Sequence, residues 1–364
     1  MLRTTAPTIS PCSAQIAQSY SARPFQPPFW ARNAHVHTII GSGEVQRKLF
    51  GRSGPAIEYR RETLRTPDGD FLDVDHLDLP PGTEGNGHTA VLTHGLESSS
   101  DAPLTARMAL AFQKEGFKVS VMCFRSCSGR DNLTLGAYHL GFTDDLSLLV
   151  DTISERGDTD AGIVLAGFSL GGNVIAKYLG EVGSAASEEK KILGAVVSCV
   201  PFDAVNSQLK IDAGFNRRVY ARNFLNSLIP KINRKAELLP ELREIVDIEA
   251  VEKATSMGEF DGLVIAKIYG FEDEKDYYEQ SGSKQYLKDV RVPLLCLQAV
   301  DDPFIESETL PTPEDCSPSV KLQYYNYGGH CGFISSERSH NEAGFLPTEM
   351  GLWGRHLVSQ QKDA

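Results

Sequence analysis

The sequence predicts an α/β protein: a mostly parallel central sheet covered by helices on both faces, with a helical cap inserted between two strands. Three observations carry that reading. Near-continuous Val/Ile/Leu runs alternate with amphipathic stretches through most of the chain. The alternation stops between Pro201 and residue 288, where Lys, Arg and Glu surround helix-like segments. A serine flanked by glycines, Gly167-Phe168-Ser169-Leu170-Gly171, joins an apolar run to a helical one.

The elements follow in chain order. Residues 57–64 and 71–77 alternate apolar and polar around Thr66-Pro67-Asp68-Gly69-Asp70, which predicts a β-hairpin with a Pro/Asp/Gly turn. Strand, helix and strand are then expected at 90–93, 106–114 and 117–123. Thr143-Asp144-Asp145 reads as the cap of a helix with Leu146, Leu149, Val150 and Ile153 on one face. Gly162-Ile163-Val164-Leu165-Ala166 is a buried strand, and residues 192–200 form another. Residues 223–229 and 238–246 look amphipathic and helical, and they anchor the expected cap at 201–288. The core is expected at 24–200 and 289–364, ending in a helix over 351–361.

The serine turn carries chemistry. Glycines on both sides fit a tight strand-to-helix turn that lifts the Ser169 hydroxyl above the sheet. Downstream, the strand at 292–299 ends in Asp301-Asp302-Pro303-Phe304, and the strand at 320–325 empties into Gly328-Gly329-His330-Cys331-Gly332-Phe333. Among nine histidines, His330 alone follows such a strand with glycines on both sides. The chain order Ser, Asp, His is that of the α/β-hydrolase fold, whose ligand site lies past the carboxyl ends of the strands. Upstream, the strand ending at Thr93 leads into His94-Gly95-Leu96-Glu97-Ser98-Ser99. The Leu96 and Leu170 amides are the expected oxyanion donors, and His94 is expected to be a structural turn residue.

From Pro24 to the last helix the chain resembles the AB hydrolase superfamily, in particular the AB hydrolase 4 family of YheT-like esterases and lipases. The resemblance rests on several segments together: Pro28-Phe29-Trp30-Ala31-Arg32-Asn33-Ala34-His35, the His94-Gly95 turn, Phe124-Arg125-Ser126-Cys127-Ser128-Gly129, and the serine turn through Asn173. Glu259-Phe260-Asp261, Gly270-Phe271 and Tyr277-Tyr278 match cap positions, and the Asp and His loops complete the set. It implies a Ser169–Asp302–His330 triad and uncharged acyl esters of short to medium chain, glycerides being one candidate. In such loops the acid stands three residues before an apolar position, here Ile305. That favours Asp302 over Asp301, which would turn away and cap the loop. Two residues depart from the family pattern: His37 where Gln is usual, and Ser126 where Gly is usual. Neither touches the triad, so they bear on substrate detail rather than on chemistry.

Composition narrows the partners. A formal charge of −12 argues against a nucleic-acid backbone or an anionic lipid surface as partner. No apolar run reaches the length of a spanning helix, about 20 residues. Seven scattered cysteines are an odd count, and Cys123-x-x-x-Cys127 has no second pair, so reduced buried thiols and a cytoplasmic location are expected. Residues 1–23 hold no acid, two arginines besides many Ser and Thr, and are expected to be a disordered extension with some transit-peptide character. His35-x-His37 lacks further ligands at metal spacing, and Gly41-Ser42-Gly43 matches no phosphate-cradling loop, so neither a metal nor a cofactor is expected.

The sequence therefore points to a serine hydrolase acting on a small-molecule acyl ester, and it assigns no oligomeric state. Acyl transfer to an alcohol uses the same residues, and a catalytically silent binding protein on the same fold stands as the alternative of another class. Phe215, Tyr220, Phe224, Leu225 and Ile229 are the expected wall of an apolar acyl pocket.

Overall fold

A computed structural model describes residues 11–41, 43, 57–156, 162–336 and 343–362. Its strands are β1 (Arg60–Arg65), β2 (Phe71–Leu77), β3 (Thr89–Thr93), β4 (Lys118–Cys123), β5 (Ile163–Phe168), β6 (Ile192–Ser198), β7 (Leu294–Ala299) and β8 (Val320–Tyr325). They form one sheet in the order β1-β2-β4-β3-β5-β6-β7-β8. β2 runs antiparallel to β1 and β4, and the remaining pairs are parallel. This is the mostly parallel sheet expected from the apolar runs. The hairpin expected at its edge is also present, with Arg65 opposite Phe71 across the Thr66–Asp70 turn.

Burial explains why the central strands read as unbroken apolar runs. Every residue of β5 is buried, and its neighbours face opposite layers. Leu165 joins the core under one set of helices, whereas Val164 and Ala166 join the core on the other face.

The helices used below are α1 (Pro11–Ser19), α2 (Pro103–Lys114), α3 (Asp144–Glu155), α4 (Leu170–Val182), α5 (Ala204–Ile211), α6 (Arg222–Leu238), α7 (Met257–Leu263), α8 (Glu274–Ser281) and α9 (Phe345–Lys362). α2 and α9 pack on one face around the fully buried Trp353, and α3 and α4 pack on the other. Between β6 and β7 the described chain is helical, with α5 to α8 joined by shorter turns.

Three expectations are corrected. Residues 1–10 lie outside the described residues, but 11–23 are not a disordered extension. There α1 and the following residues dock on α9. Ala17 is fully buried, Tyr20 stacks edge-on against Trp353 at 5.1 Å and donates to Glu349 at 2.7 Å, and Arg23 pairs with the same carboxylate at 2.7 Å. Thr143 does not cap α3 through its side chain, because its hydroxyl donates to Glu181 at 2.7 Å. The stretch expected as a second helix over 238–246 is only a short 3-10 turn, Pro240–Glu244. All six described cysteines are free thiols, Cys123 and Cys127 among them.

Candidate active site

Ser169 sits between β5 and α4 with φ 54° and ψ −128°, a conformation that costs a non-glycine residue about 1–3 kcal/mol. The turn is held by the Ser169 amide donating to Ser198 at 2.8 Å and by Asn173 closing the first helical bond to the Ser169 carbonyl at 3.0 Å. Its flanking glycines are sterically required. A Cβ at Gly167 would stand 2.2 Å from Thr93 Oγ1, and one at Gly171 would stand 2.4 Å from the His94 carbonyl. The strand therefore delivers a half-exposed hydroxyl at the top of the sheet.

β7 and β8 bring the other two side chains to it. His330 Nε2 lies 2.9 Å from Ser169 Oγ, and His330 Nδ1 lies 2.9 Å from Asp302 Oδ2. Asp302 is 1 % exposed; its second oxygen accepts from the Phe304 amide at 2.9 Å. Asp301 points elsewhere and accepts from the Gly329 amide at 2.8 Å. Burial opposes charge on the imidazole, but the Asp302 carboxylate outweighs it and lifts His330 above the ordinary histidine range. Phe304 stacks on the imidazole at 4.1 Å, and Thr38 Oγ1 accepts from the His330 amide at 2.9 Å. Such a relay can take a proton from a serine hydroxyl and stabilise the resulting imidazolium.

The third side of the site is the turn after β3. His94 is fully buried: Nδ1 donates to the Gly95 carbonyl at 2.9 Å, and Nε2 accepts from the Phe124 amide at 3.2 Å. Burial lowers its pKa to about 4, so it is a neutral brace for the turn. Among the described residues, the Leu96 and Leu170 amides donate to no protein group, and both residues border the same cavity as Ser169. Glu97 next in line has φ 54°, and its carboxylate accepts from Tyr138 Oη at 2.8 Å and from Lys231 of α6. That buried ion pair ties the turn to the helical segment above it.

Two cavities meet at Ser169. One, of about 120 Å³, runs under α5 to α8 between Leu140, Phe224, Leu228, Met257 and Phe260. The other, of about 320 Å³, passes His330, Tyr220, Val219 and Ile39. Phe224 and Phe304 border both.

A family model described as the alpha/beta hydrolase fold matches residues 91–337, more than half of the chain. The YheT protein of Escherichia coli (strain K12), which carries an esterase name, is 32% identical over 320 residues, covering 88% of this chain and 90% of that one. The chain belongs to the α/β-hydrolase family. Within it the chain is YheT-like. Human phospholipase ABHD3 is 27% identical over 299 residues, covering 81% of this chain and 71% of that protein. The solved structure of the Pyrococcus furiosus esterase Pf2001 shares the fold at a TM-score of 0.51 and 18% identity, covering 82% of this chain and 90% of that one.

Other residues singled out in this α/β-hydrolase have different places. Of the five expected pocket residues, Phe224 and Tyr220 reach the cavities at Ser169. Leu225 and Ile229 border a groove on the outer side of α6, and Phe215 is 53% exposed against the His35 ring. His35 Nδ1 pairs with Tyr220 Oη at 2.9 Å; His37 is buried, its Nδ1 accepting from the Ile334 amide at 3.0 Å, and burial lowers its pKa to about 4. Ser126 has φ 62°, the left-handed region glycine enters freely. Its hydroxyl compensates by donating to Asn132 Oδ1 at 2.7 Å and accepting from the Asn132 amide at 3.1 Å.

Cys199, His330 and Cys331 bring their ligand atoms within 4.8 Å of one another. The geometry suits packing better than a metal. Cys199 Sγ accepts from the Cys331 amide at 3.1 Å, and both ring nitrogens of His330 already face Ser169 and Asp302. Thr38, Lys231 and Gln298, whose side-chain amide donates to Asp302 Oδ2 at 3.4 Å, escaped the sequence reading, since nothing local marks a threonine or lysine whose partner lies far along the chain, or a glutamine that faces a loop carboxylate.

Proposed function

We propose that this protein is a serine hydrolase cleaving carboxylic esters of short to medium acyl chains, with Ser169, His330 and Asp302 as its triad. The observation that carries the reading is the unbroken hydrogen-bonded chain from Ser169 Oγ through His330 to Asp302, 2.9 Å at each link, where two cavities meet. Ser169 Oγ attacks the acyl carbon while His330 Nε2 takes its proton. The carbonyl oxygen becomes an oxyanion, which the free Leu96 and Leu170 amides bind. As the tetrahedral centre collapses, the C–O bond breaks and His330 returns the proton to the departing alkoxide. Water then attacks the acyl-enzyme, again losing its proton to His330, and the free acid leaves with Ser169 restored.

Placement of the two halves of the ester follows from His330, which must reach the leaving oxygen. The imidazole borders the larger cavity and not the smaller one, so the alcohol half occupies the larger and the acyl half the smaller. Residues 201–288 act as a cap over a core formed by 24–200 and 289–364. Relatives named as an esterase and a phospholipase support ester cleavage. A silent binding protein would have no use for a strained serine held in register with a paired imidazole.

The test is labelling with a fluorophosphonate. Wild-type protein takes up the probe on Ser169, and Ser169→Ala loses both labelling and ester hydrolysis, by orders of magnitude, with an unchanged unfolding temperature. Wild-type protein that resists the probe, or a variant that keeps more than a small fraction of turnover, overturns the proposal.

A further inference from the structure

The smaller cavity is apolar along most of its length but not throughout. On α5, Ser207 borders it at 3% exposure, and its hydroxyl has no hydrogen-bond partner among the described residues. On α7, which packs against α5, Asp261 borders the same cavity at 8% exposure. One carboxylate oxygen of Asp261 accepts from Tyr278 Oη. The other oxygen accepts no hydrogen bond from the described residues. Gln208 adds a carboxamide to the same wall, although its nitrogen is committed to Asp212 at 2.5 Å. Asp212 in turn accepts from the Met257 and Gly258 amides at 2.7 and 2.9 Å, which fixes the start of α7 and so the position of Asp261.

A pocket built only for a hydrocarbon chain has no need of these groups. Leaving a hydroxyl without a partner and a carboxyl half satisfied among Met257, Phe260 and Ile265 carries a desolvation cost that a purely apolar wall avoids. Burial pushes the Asp261 carboxyl up to about 7, with the nearby Asp212 adding to the effect and the Tyr278 bond opposing it. Apolar side chains of similar size would close the wall at lower cost, so a polar substrate group offers the physical reason for retaining them.

We propose that the acyl cavity selects chains carrying a hydroxyl group, whose hydrogen Asp261 accepts and whose oxygen Ser207 binds as donor. Both partners are then complete, and no change in either proton count or bonding is required. The inference rests on the proposed ester hydrolysis and adds the chemical class of its acyl half. A hydroxyl could instead belong to the alcohol half, as in a glyceride. The alcohol half, however, lies in the cavity bordered by His330, which neither Ser207 nor Asp261 borders.

The experiment uses the full-length protein and follows acid release from methyl esters of medium-chain acids. Each acid is compared with versions bearing one hydroxyl, stepped along the chain from the carboxyl to the far end. A second arm compares glycerol and methyl esters of an unsubstituted acid. At the matching position, the hydroxylated ester is expected to exceed its methyl-bearing isostere in kcat/KM by about tenfold or more, the worth of a hydrogen bond to a charged partner. Ser207→Ala and Asp261→Asn each shrink that ratio several-fold. A ratio at or below one at every position in the wild type overturns the inference, and so does a ratio that survives both substitutions. A preference confined to the glycerol arm also overturns it. Should Asp261→Asn fail to fold, the wild-type ratios and Ser207→Ala still decide. Fluorophosphonate labelling of the same preparation separates the two failures: a labelled Ser169 without hydroxyl preference sinks only this inference.

Discussion

Asp301 and Asp302 are adjacent carboxylates given opposite tasks by the loop after β7. Asp302 reaches His330 Nδ1 at 2.9 Å, while Asp301 accepts from the Gly329 amide at 2.8 Å and so shapes the loop that presents the imidazole. Replacing each by Asn separates the tasks. Asp302→Asn offers an amide where the imidazolium needs a carboxylate, and kcat is expected to fall by about 10³–10⁴-fold. Asp301→Asn keeps an acceptor for Gly329, and a loss of about tenfold or less is expected. A larger loss at Asp301 would reverse the assignment. The same carboxylate sets the pH response. In the proposed mechanism His330 must be neutral to accept the serine proton, so activity should be lost as pH falls through its pKa. Because Asp302 outweighs burial and raises that pKa above the ordinary 6.5, the acidic limb of kcat/KM should have its midpoint above that value. In Asp302→Asn the residual activity should show the limb displaced to lower pH. An unmoved limb would mean that another group governs it.

Arg125, just past β4, joins three elements. Its guanidinium is 3% exposed and pairs with Asp145 at the start of α3 at 2.8 Å, and with Asp68 at 2.6 Å and Asp70 at 3.4 Å in the β1–β2 turn. Asp70 is itself buried and accepts from the Phe71 and Leu133 amides, at 2.9 and 2.8 Å. Burial raises the Asp145 pKa even beside the guanidinium, which shows how much that carboxylate depends on its partner. Removing Arg125 leaves two buried carboxylates without their cation. Arg125→Met is therefore expected to cost about 3–5 kcal/mol, read as a lower urea midpoint. A loss under about 1 kcal/mol would show that water or backbone donors suffice for these carboxylates. None of this was legible as pairing in the sequence. The hairpin turn was, because Pro, Asp and Gly favour it wherever it sits. A salt bridge spanning 57 residues leaves no local pattern.

At the scale of the whole molecule, alternation and glycine placement made the sheet, the strand ends and Ser169 readable, since each is written within a few residues. What was misread depends on packing between distant segments. Residues 11–23 look like a tail by composition, yet Ala17, Tyr20 and Arg23 suffice to dock α1 over Trp353 and Glu349. Their short apolar content hides in Ser and Thr. Likewise, helical periodicity groups Phe224, Leu225, Leu228 and Ile229 but does not say which side meets the site. A π-helical stretch at Arg217–Ala221 changes the phase between Phe215 and α6. Phe224 and Leu228 consequently face the cavity, and Leu225 and Ile229 face the outer groove. This corrected wall still supports a dependence on chain length. On the proposed placement the acyl half enters a cavity of about 120 Å³ bounded by apolar side chains, and each methylene buried there would be worth about 0.8 kcal/mol. In p-nitrophenyl esters of unsubstituted acids, kcat/KM should therefore climb from acetate by a few-fold per methylene, then fall once α5 and α7 block further extension. Leu228→Ala should move the optimum to longer chains by enlarging the wall. If acetate matches every longer ester, the side chains around Phe224 serve only to pack α6 onto the sheet. In that case the acyl group lies in the larger cavity or outside both, while the roles proposed for Ser169, His330 and Asp302 are untouched.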